Sequence, residues 1–435
     1  MAGEWNKRTL DNCATFYSGG TPSKAVDEYW TGTIPWVSAK DMKKFRLNDA
    51  EDHVTPQAID AGSRLVPPGT ILLLVRGMTL HNDVPICVAM REMAFNQDLK
   101  ALRPKEGIDG SFLTYWLLAH KPALLGNVDS AGHGTGRLNT DTLKAMIVSV
   151  PPLAEQKAIA AVLGALDDKI ELNRRMNATL EALARALFQS WFVDFDPVRA
   201  KLDGRPPAPL APATAALFPE HLEDSPLGHI PVGWRLSKIT DCCERIHSGG
   251  TPRRDEPKYW NDATIPWLTS GEVRQPMITA TENFISELGL KDSSAKWVPA
   301  NSTVVALYGA TAGQVSFLGS TATTNQAICS LIPKPQFAYF NYFTMRGATA
   351  EMENKAVGSA QQNISKGIIE ETSVVLPSAE FLARFNLAVG PLFENWISNI
   401  SESRTLATLR DTLLPKLLSG ELSVPTAETI FEDAT

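Results

Sequence analysis

Short apolar runs dominate two stretches of the chain, residues 1–152 and 231–378. In both, runs rich in Val, Ile, Leu and aromatic residues alternate with clusters of Gly, Pro, Thr and Asn. This pattern is typical of strands joined by loops, with few helices. Each stretch is therefore predicted to fold as an α+β or mostly β module.

A helical period follows each module. From residue 154 to 191, and again from residue 379, apolar residues recur at 3-4 spacing, interrupted by polar positions such as Asn173 and Asn399. A heptad sustained over about four repeats predicts a coiled coil, and two matched helices in one chain are expected to pair with each other. The predicted seam consists of Ile159, Val162, Leu166, Met176, Leu180, Leu183 and Leu187 in the first helix and Phe385, Ala388, Leu392, Leu406, Leu409 and Leu413 in the second.

Asn173 and Asn399 occupy equivalent positions of the two predicted helices. Two interpretations stay open: polar residues tolerated on a wet surface, or buried amides that fix the register of pairing. Antiparallel pairing is favoured over parallel pairing, because the linker then needs only to step sideways to the second module. Helices of about 38 residues would extend about 57 Å at 1.5 Å per residue.

The two modules are copies of one another. SGGTP begins at Ser18 and again at Ser248, and each copy continues through a YW and an IPW motif. Further on, FNQDLKAL matches TNQAICSL, and IVSVPPL matches SVVLPSA. The offset stays between 224 and 232 residues, which indicates an internal duplication with pseudo-twofold character.

These patterns divide the chain into six segments. Eight prolines between Asp196 and Pro231 predict an extended, semi-rigid connector, and the acidic C-terminal tail is expected to fray. The predicted segments are a first module at 1–152, a first helix at 153–195, a linker at 196–230, a second module at 231–378, a second helix at 379–420 and a tail at 421–435.

The net charge of −7 argues at face value against a nucleic-acid binder. The acidic excess, however, lies outside the modules, because residues 1–150 carry 16 basic and 16 acidic side chains and residues 226–378 carry 13 of each. Charge therefore neither demands nor forbids DNA. The densest aliphatic run is too short to cross a bilayer, so a cytoplasmic protein without membrane contact is expected.

None of the common catalytic or metal-binding sequence motifs that we searched for occurs in the chain. The sequence contains no GxxxxGK[ST], HExxH or GxSxG motif, and its five cysteines include no CxxC pair. Buried free thiols are predicted rather than disulfides or a zinc site. We therefore expect no catalytic residues, metal or cofactor on this chain, and any accompanying chemistry is expected on another chain.

The SGGTP motif has a structural and a functional interpretation. Paired glycines allow positive φ in a turn, and proline restricts the residue before it. Such a loop also lets backbone amides approach a phosphate, and basic residues follow the motif in both copies.

Positions at which the copies differ are candidates for reading two different DNA half-sites, because Arg, Asn and Gln discriminate bases through bidentate hydrogen bonds. Ordinary drift of surface loops remains the alternative for any single residue. The candidate DNA-binding residues are Lys24, Lys40, Lys43, Lys44, Arg46, Arg76, His81, Asn82 and Arg137 in the first copy, and Arg253, Arg254, Ser270, Arg274, Tyr308, Thr311, Gln314, Gln362 and Asn363 in the second.

The whole chain resembles the specificity subunits of type I restriction-modification systems. The duplicated SGGTP block, the GTGRLN...VPPLAEQKAI and GSAQQNIS...LPSAE ends and the FQSWFVDFDPVRA stretch carry the resemblance. It implies two target recognition domains joined by a long antiparallel two-helix coiled coil. It also implies double-stranded DNA, two modification (methyltransferase) subunits using S-adenosylmethionine, and restriction subunits using ATP and magnesium as partners.

One departure from internal symmetry bears on partner binding: the second helix starts with SAEFLA where the first has LAEQKA, so it could dock its partner differently. Two rival functions stay open. The duplicated heads could bind protein partners on a coiled-coil scaffold, or the chain could be an enzyme with an unrecognised site.

Overall fold

The computed structural model describes residues 5–131, 134–207, 210–355 and 363–427. It divides into two units, one formed by residues 1–171 with 404–435 and the other by residues 172–403. Each unit contains one module and one part of each long helix. In the described ranges, no helix is long and apolar enough to cross a membrane.

The first unit is built on a five-stranded and a four-stranded sheet. The strands of the five-stranded sheet are, in spatial order, Ala14–Ser18, Leu99–Pro104, Ile71–Leu74, Ile86–Ala89 and Arg46–Leu47. Those of the four-stranded sheet are Asp52–Val54, Ile34–Val37, Met93–Phe95 and Leu65–Val66. Smaller sheets pair Asn6–Thr9 with Ile147–Val150, and Val128–Ala131 with Thr135–Leu138 and Arg76–Gly77.

The second unit repeats the same strand order. Its five-stranded sheet is Cys243–Ser248, Ile328–Pro333, Ser302–Ala306, Val315–Leu318 and Met277–Ile278. Its four-stranded sheet is Asn283–Ile285, Ile265–Leu268, Ala322–Thr324 and Trp297–Val298, and Arg235–Lys238 pairs with Ser373–Leu376. The two units therefore confirm both the duplication and the α+β class.

Helices cover the sheets at equivalent places. The larger ones are Gly110–Ala119 in the first unit and Ala338–Gly347 in the second, both rich in buried aromatic side chains. The shorter ones are Leu10–Cys13, Pro56–Asp60, Lys121–Gly126 and Thr140–Ala145 in the first unit and Glu287–Lys291, Thr349–Lys355 and Lys366–Glu370 in the second. All five cysteines are free and buried, as the sequence predicted.

The long helices run from Leu153 to Phe188 and from Ala379 to Ser419. In the first unit Asp167 contacts Arg410, and in the second unit Asn173 contacts Glu402 while Trp191 contacts Phe381. Residue numbers rise on one helix as they fall on the other, so the pairing is antiparallel, as predicted.

Buried amides hold the middle of the helix pair. Asn173 is fully buried, and its Nδ2 donates to Glu402 Oε2 at 2.6 Å and to Ser403 Oγ at 3.3 Å. Asn399, which is half-buried, donates to Asn177 Oδ1 at 2.9 Å. These bonds join specific residues of the two helices, which supports the interpretation that the amides fix the register.

The predicted seam needs correction in the second unit. Met176 and Leu183 are 42% and 51% exposed, whereas Ala184 is fully buried. On the second helix Ala388 is exposed and Val389 is buried instead. A strict heptad drifts around a straight helix, which repeats every 3.6 residues, so the contacting face moves by one position.

The first turn of each long helix packs against other residues of the same chain. Gln156 is buried, accepts from the Asp109 amide at 2.8 Å and donates to the carbonyls of Gly107 and Pro151. In SAEFLA the position of Gln156 is taken by Phe381, which is buried and apolar. The difference between LAEQKA and SAEFLA is therefore one of internal packing at this position.

The FQSWFVDFDPVRA stretch forms the end of the first long helix. Residues Gln189–Val193 form a single π-helical turn, after which Phe195 adopts φ 53° and ends the helix. The stretch points its aromatic rings into the core of the second unit, where Phe192 lies 4.8 Å from Phe385 and 5.9 Å from Trp234 between ring centroids. Its first role is thus to anchor the helix.

The linker is not the extended connector that its prolines predicted. It forms the helices Asp196–Leu202 and Pro212–Ala215 and a hairpin of Leu222–Ser225 with Gly228–Pro231. Val198 and Phe218 lie in the core of the second unit, because apolar side chains between the prolines can be buried there.

The tail was expected to fray, but its first residues are packed. Leu422 and Val424 lie against the core of the first unit, and Ala427 is fully buried. Residues 428–435 lie outside the described part of the chain.

Candidate nucleic-acid interface

An arginine pair marks the most unusual surface of the first module. Arg76 and Arg137 are direct cross-strand partners in the three-stranded sheet, so their side chains lie on the same face. Like charges opposite each other destabilise a ladder. Both side chains are exposed, and within the described ranges neither has a hydrogen-bonding or carboxylate partner. Asp129 is the other cross-strand partner of Arg137 and places one carboxylate on the same face. A ligand with further acceptors could offset the repulsion that remains.

A glycine pair adjoins the two arginines. Gly77 faces Gly136 at the next rung of the ladder, and a Cβ on Gly136 would lie 2.8 Å from the Cβ of Leu80. The missing side chains let the turn Met78–His81 pass close to the strand. This turn carries Met78, which is 73% exposed.

A cavity of about 230 Å³ lies between the arginines and the sheet. Lys100 and Gln97 also line it. The Lys100 ammonium donates to Ser18 Oγ, and burial lowers the pKa of Lys100. Gln97 accepts a hydrogen bond from Thr21 at 2.6 Å. Three cationic side chains thus converge on one small concave surface.

Sequence reasoning missed Gln97 and Lys100 as members of this surface, and it missed the exposed Met78 on the adjoining turn. Gln97 and Lys100 belong to the FNQDLKAL stretch, which served only to align the copies. Repetition of its NQ pair in TNQAICSL was the available signal. Met78 carried no signal, because its exposure depends on the local path of the turn.

His81 and Asn82 end the turn and are both exposed. The His81 ring lies 2.9 Å from the carbonyl oxygen of Gly134, which ties the turn to the neighbouring strand connection. Asn82 donates its backbone amide to Thr79, and its side chain faces solvent. Of the two, Asn82 is the residue more accessible to a ligand.

The second module carries different residues at this place. Tyr308, which is 43% exposed, precedes the turn Gly309–Thr311. Gln314 and Asn363 are also exposed. Thr311 is only 4% exposed, so its side chain has little access to a ligand. That it contacts DNA stays a prediction.

Backbone hydrogen bonds show which residues of the two modules are equivalent here. Leu138 donates to Val75, and Ile364 donates to Leu307, both at 2.9 Å. Arg137 is therefore equivalent to Asn363. Gln362 lies outside the described residues.

The basic residues after SGGTP lie against aromatic rings. Lys24 stands 6.0 Å from the Trp30 ring centroid, and Arg254 stands 5.7 Å from that of Trp260. Arg253 forms a 2.8 Å ion pair with Asp255. All three basic side chains are exposed and remain available to an anionic ligand.

The loop after the IPW strand in the first copy is partly committed to the fold. Lys40 bridges Glu51 at 3.1 Å and Asp52 at 3.0 Å, and its hydrogen bond to Asp52 raises the pKa of Lys40. Arg46 pairs with Asp168, near the middle of the first long helix, which gives Arg46 a structural role.

Other residues of this loop remain exposed in both copies. Lys43 and Lys44 are exposed and border a cavity of about 410 Å³ that also contacts Arg410. In the second copy Arg274 is exposed, while Ser270 is half-buried in a turn that Thr269 and Glu272 cap.

The SGGTP motif is structural in both copies. The amides of Gly20 and Gly250 donate to the carbonyls of Phe95 and Thr324 at 3.0 and 2.9 Å, so these amides are not free for a phosphate. None of the four glycines has positive φ. A Cβ on Gly20 would instead lie 1.9 Å from the Gly62 carbonyl oxygen. The motif therefore allows close backbone packing, which corrects the predicted positive-φ role of the glycines.

No group of three or more His, Cys, Asp or Glu side chains within the described ranges is placed to hold a metal ion.

Known proteins resemble this chain along nearly its whole length. Residues 2–182 and 231–381 match the family described as "Type I restriction modification DNA specificity domain". The type I restriction enzyme MjaIX specificity subunit of Methanocaldococcus jannaschii is 28% identical over 430 residues, covering 97% of this chain and 94% of that protein. The HindI specificity subunit of Haemophilus influenzae is 31% identical over 329 residues, covering 66% and 71% respectively.

A solved structure shares the fold. The crystal structure of a type I restriction-modification S subunit from M. genitalium aligns with a TM-score of 0.54 at 15% identity, covering 95% of this chain and 96% of that one. At this identity the likeness concerns the fold alone.

Proposed function

Because this chain belongs to the type I restriction-modification DNA specificity family, we propose that it is the sequence-reading subunit of such a complex. Each module reads one half of a bipartite site in double-stranded DNA, and the paired helices set the gap between the halves. The observation that carries the proposal is a shared scaffold with different exposed polar groups at equivalent places, as at Arg137 and Asn363.

Partner subunits supply the chemistry in this proposal. Two modification subunits transfer methyl groups from S-adenosylmethionine, and restriction subunits use ATP and magnesium, so this chain needs no cofactor of its own. The partners also supply much of the phosphate contact, which explains how a chain with net charge −7 can serve on DNA.

The first long helix offers a surface for a modification subunit. Leu172, Met176 and Leu183 are 50%, 42% and 51% exposed and follow one helix face at spacings of four and seven residues. Exposed apolar side chains on one face are typical of protein interfaces. We propose that this face, from Leu172 to Leu183, docks a modification subunit.

Methylome sequencing tests the reading function. Cells expressing the chain with its modification partner should carry methylation at a two-part motif with a constant gap. Inserting one heptad into both long helices should change the gap and leave the letters unchanged. Methylation without sequence preference would contradict the function, whereas an unchanged gap would contradict only the role of the helices.

Copurification tests the docking face. The double variant Met176→Glu/Leu183→Glu should lose most of the modification subunit, because each carboxylate would be desolvated in the contact. The matched control is Leu288→Glu, which replaces a 49% exposed leucine on a short helix of the second module. Equal recovery of the partner with both variants would refute the assignment.

A further inference from the structure

We propose that Arg76 and Arg137 read guanine in the half-site of the first module. The inference rests on the DNA-reading function proposed above and adds residues and a base to it. It starts from the direct cross-strand pairing of two exposed arginines, which the fold does not need.

The converging cations define the chemistry of the ligand. Antiparallel partners hold their Cβ atoms about 4.5–5.5 Å apart, so both guanidinium groups can reach neighbouring acceptors. Lys100 adds a third positive charge at the cavity, and Ser18 holds its ammonium in place. The ligand is therefore expected to present hydrogen-bond acceptors to the two guanidinium groups.

Comparison of the two copies separates a base from a phosphate. The framework around the cavity is shared, because Thr21 bonds Gln97 just as Thr251 bonds Gln326. The cations are not shared: the equivalents of Arg76, Lys100 and Arg137 are Tyr308, Cys329 and Asn363. Phosphates are the same in every sequence, whereas bases differ between half-sites. Residues that change while their framework stays constant are therefore assigned to bases.

Guanine is the base that fits this pair. In the major groove it presents two acceptors, O6 and N7, and the planar arginine fork donates to both. Adenine and cytosine each place an amino donor on that edge, which a guanidinium cannot accept. The second module has no cation at these positions, so its half-site is expected to lack the corresponding guanine contacts.

The test compares methylomes and DNA affinity for the complete complex containing each variant. Arg76→Gln and Arg137→Gln should each reduce discrimination for guanine at one position of one half-site by roughly 5- to 150-fold. The other half-site and the gap should remain unchanged, which also shows that the variant is folded. The matched control, Arg91→Gln, removes an exposed arginine at the opposite end of the Ile71–Leu74 strand and should leave every letter unchanged.

Arg76→Lys separates base reading from phosphate binding. It keeps the charge, so a phosphate contact would survive, whereas loss of the fork should weaken discrimination for guanine. A uniform loss of affinity with all letters kept, with the salt slope reduced by about one, would identify a phosphate contact and overturn the inference. The inference would also be overturned if these variants altered no guanine position of the wild-type motif. Absence of any two-part motif in the wild type would instead contradict the proposed function itself.

Discussion

Replacing Arg410 by methionine is expected to loosen the pairing of the two long helices in the first unit. Arg410 forms a 2.6 Å ion pair with Asp167, and Tyr115 donates to the other oxygen of the same carboxylate at 2.7 Å. Asp167 is only 8% exposed. Methionine fills much of the apolar volume of arginine but leaves the buried carboxylate without its cation.

The expected loss follows from the burial of both partners. Removing one member of a buried ion pair costs about 3–5 kcal/mol. The Arg410 side chain is 28% exposed and Tyr115 still donates, so water and the phenol offset part of that penalty. We therefore expect a loss of about 2–3 kcal/mol in the free energy of local opening, equal to roughly 30- to 150-fold faster amide exchange.

Hydrogen exchange of the full chain, followed by mass spectrometry, measures this loss locally. Peptides that cover residues 159–170 and 406–418 should lose protection. The double variant Asp167→Asn/Arg410→Met should recover most of it, because the amide oxygen still accepts from Tyr115 and no charge remains buried.

The matched control is Arg185→Met. Arg185 is 58% exposed and pairs with Glu181, which is 14% exposed and also pairs with Arg346 at 3.1 Å. Because Glu181 keeps a cation without Arg185, the loss should cost less than about 0.5 kcal/mol. Equal protection in Arg410→Met and in this control would refute the reasoning, as would a double variant as labile as Arg410→Met alone.

Three further predictions concern packing and reactivity. Gly20→Ala should destabilise the chain by about 3 kcal/mol, because the new Cβ would meet a carbonyl oxygen. In the control Gly126→Ala the new Cβ meets nothing within 4 Å, so the thermal midpoint should stay near that of the wild type. Equal midpoints for the two variants would contradict the packing role of the SGGTP motif. Asn173→Leu should raise the unfolding temperature but allow differently tagged chains to exchange helices. Native mass spectrometry would detect the mixed species. A single monomeric species would argue that Asn173 does not fix the register. Alkylation of the cysteine thiols at pH 8 should be slow in the native protein and complete in denaturant, because the thiolate is the reactive form. Burial raises the pKa to about 12 for Cys87, Cys242, Cys243 and Cys329. Rapid labelling of these thiols in the native protein would contradict their burial.

Much of the fold could be predicted because repetition and period are written along the chain. The duplicated SGGTP and NQ motifs identified two equivalent modules, and the 3-4 spacing identified both long helices. Antiparallel pairing followed from chain order. Asn173 could be proposed as a register residue because it interrupts the apolar pattern at a position that its repeat shares.

The candidate site was less predictable, because cross-strand neighbours depend on register. Arg76 and Arg137 were both candidates, but nothing in the sequence indicated that one faces the other. Thr311 looked like an exposed loop residue and is buried, and Arg46 looked free but pairs with a helix residue. The SGGTP glycines suggested positive φ, whereas the actual constraint is a carbonyl group that packs against them.

The sequence by itself determined that the protein has two related α+β modules and two antiparallel helices, because local periodicity and repetition need no knowledge of distant contacts. Only the tertiary structure decided which polar groups meet. The ion pair of Asp167 with Arg410, the outward position of Met176 and the cation cluster at Arg76 each arise from chain segments brought together by packing. Side-chain neighbours across strands and helices are set by register and rotation, which one residue of shift would change.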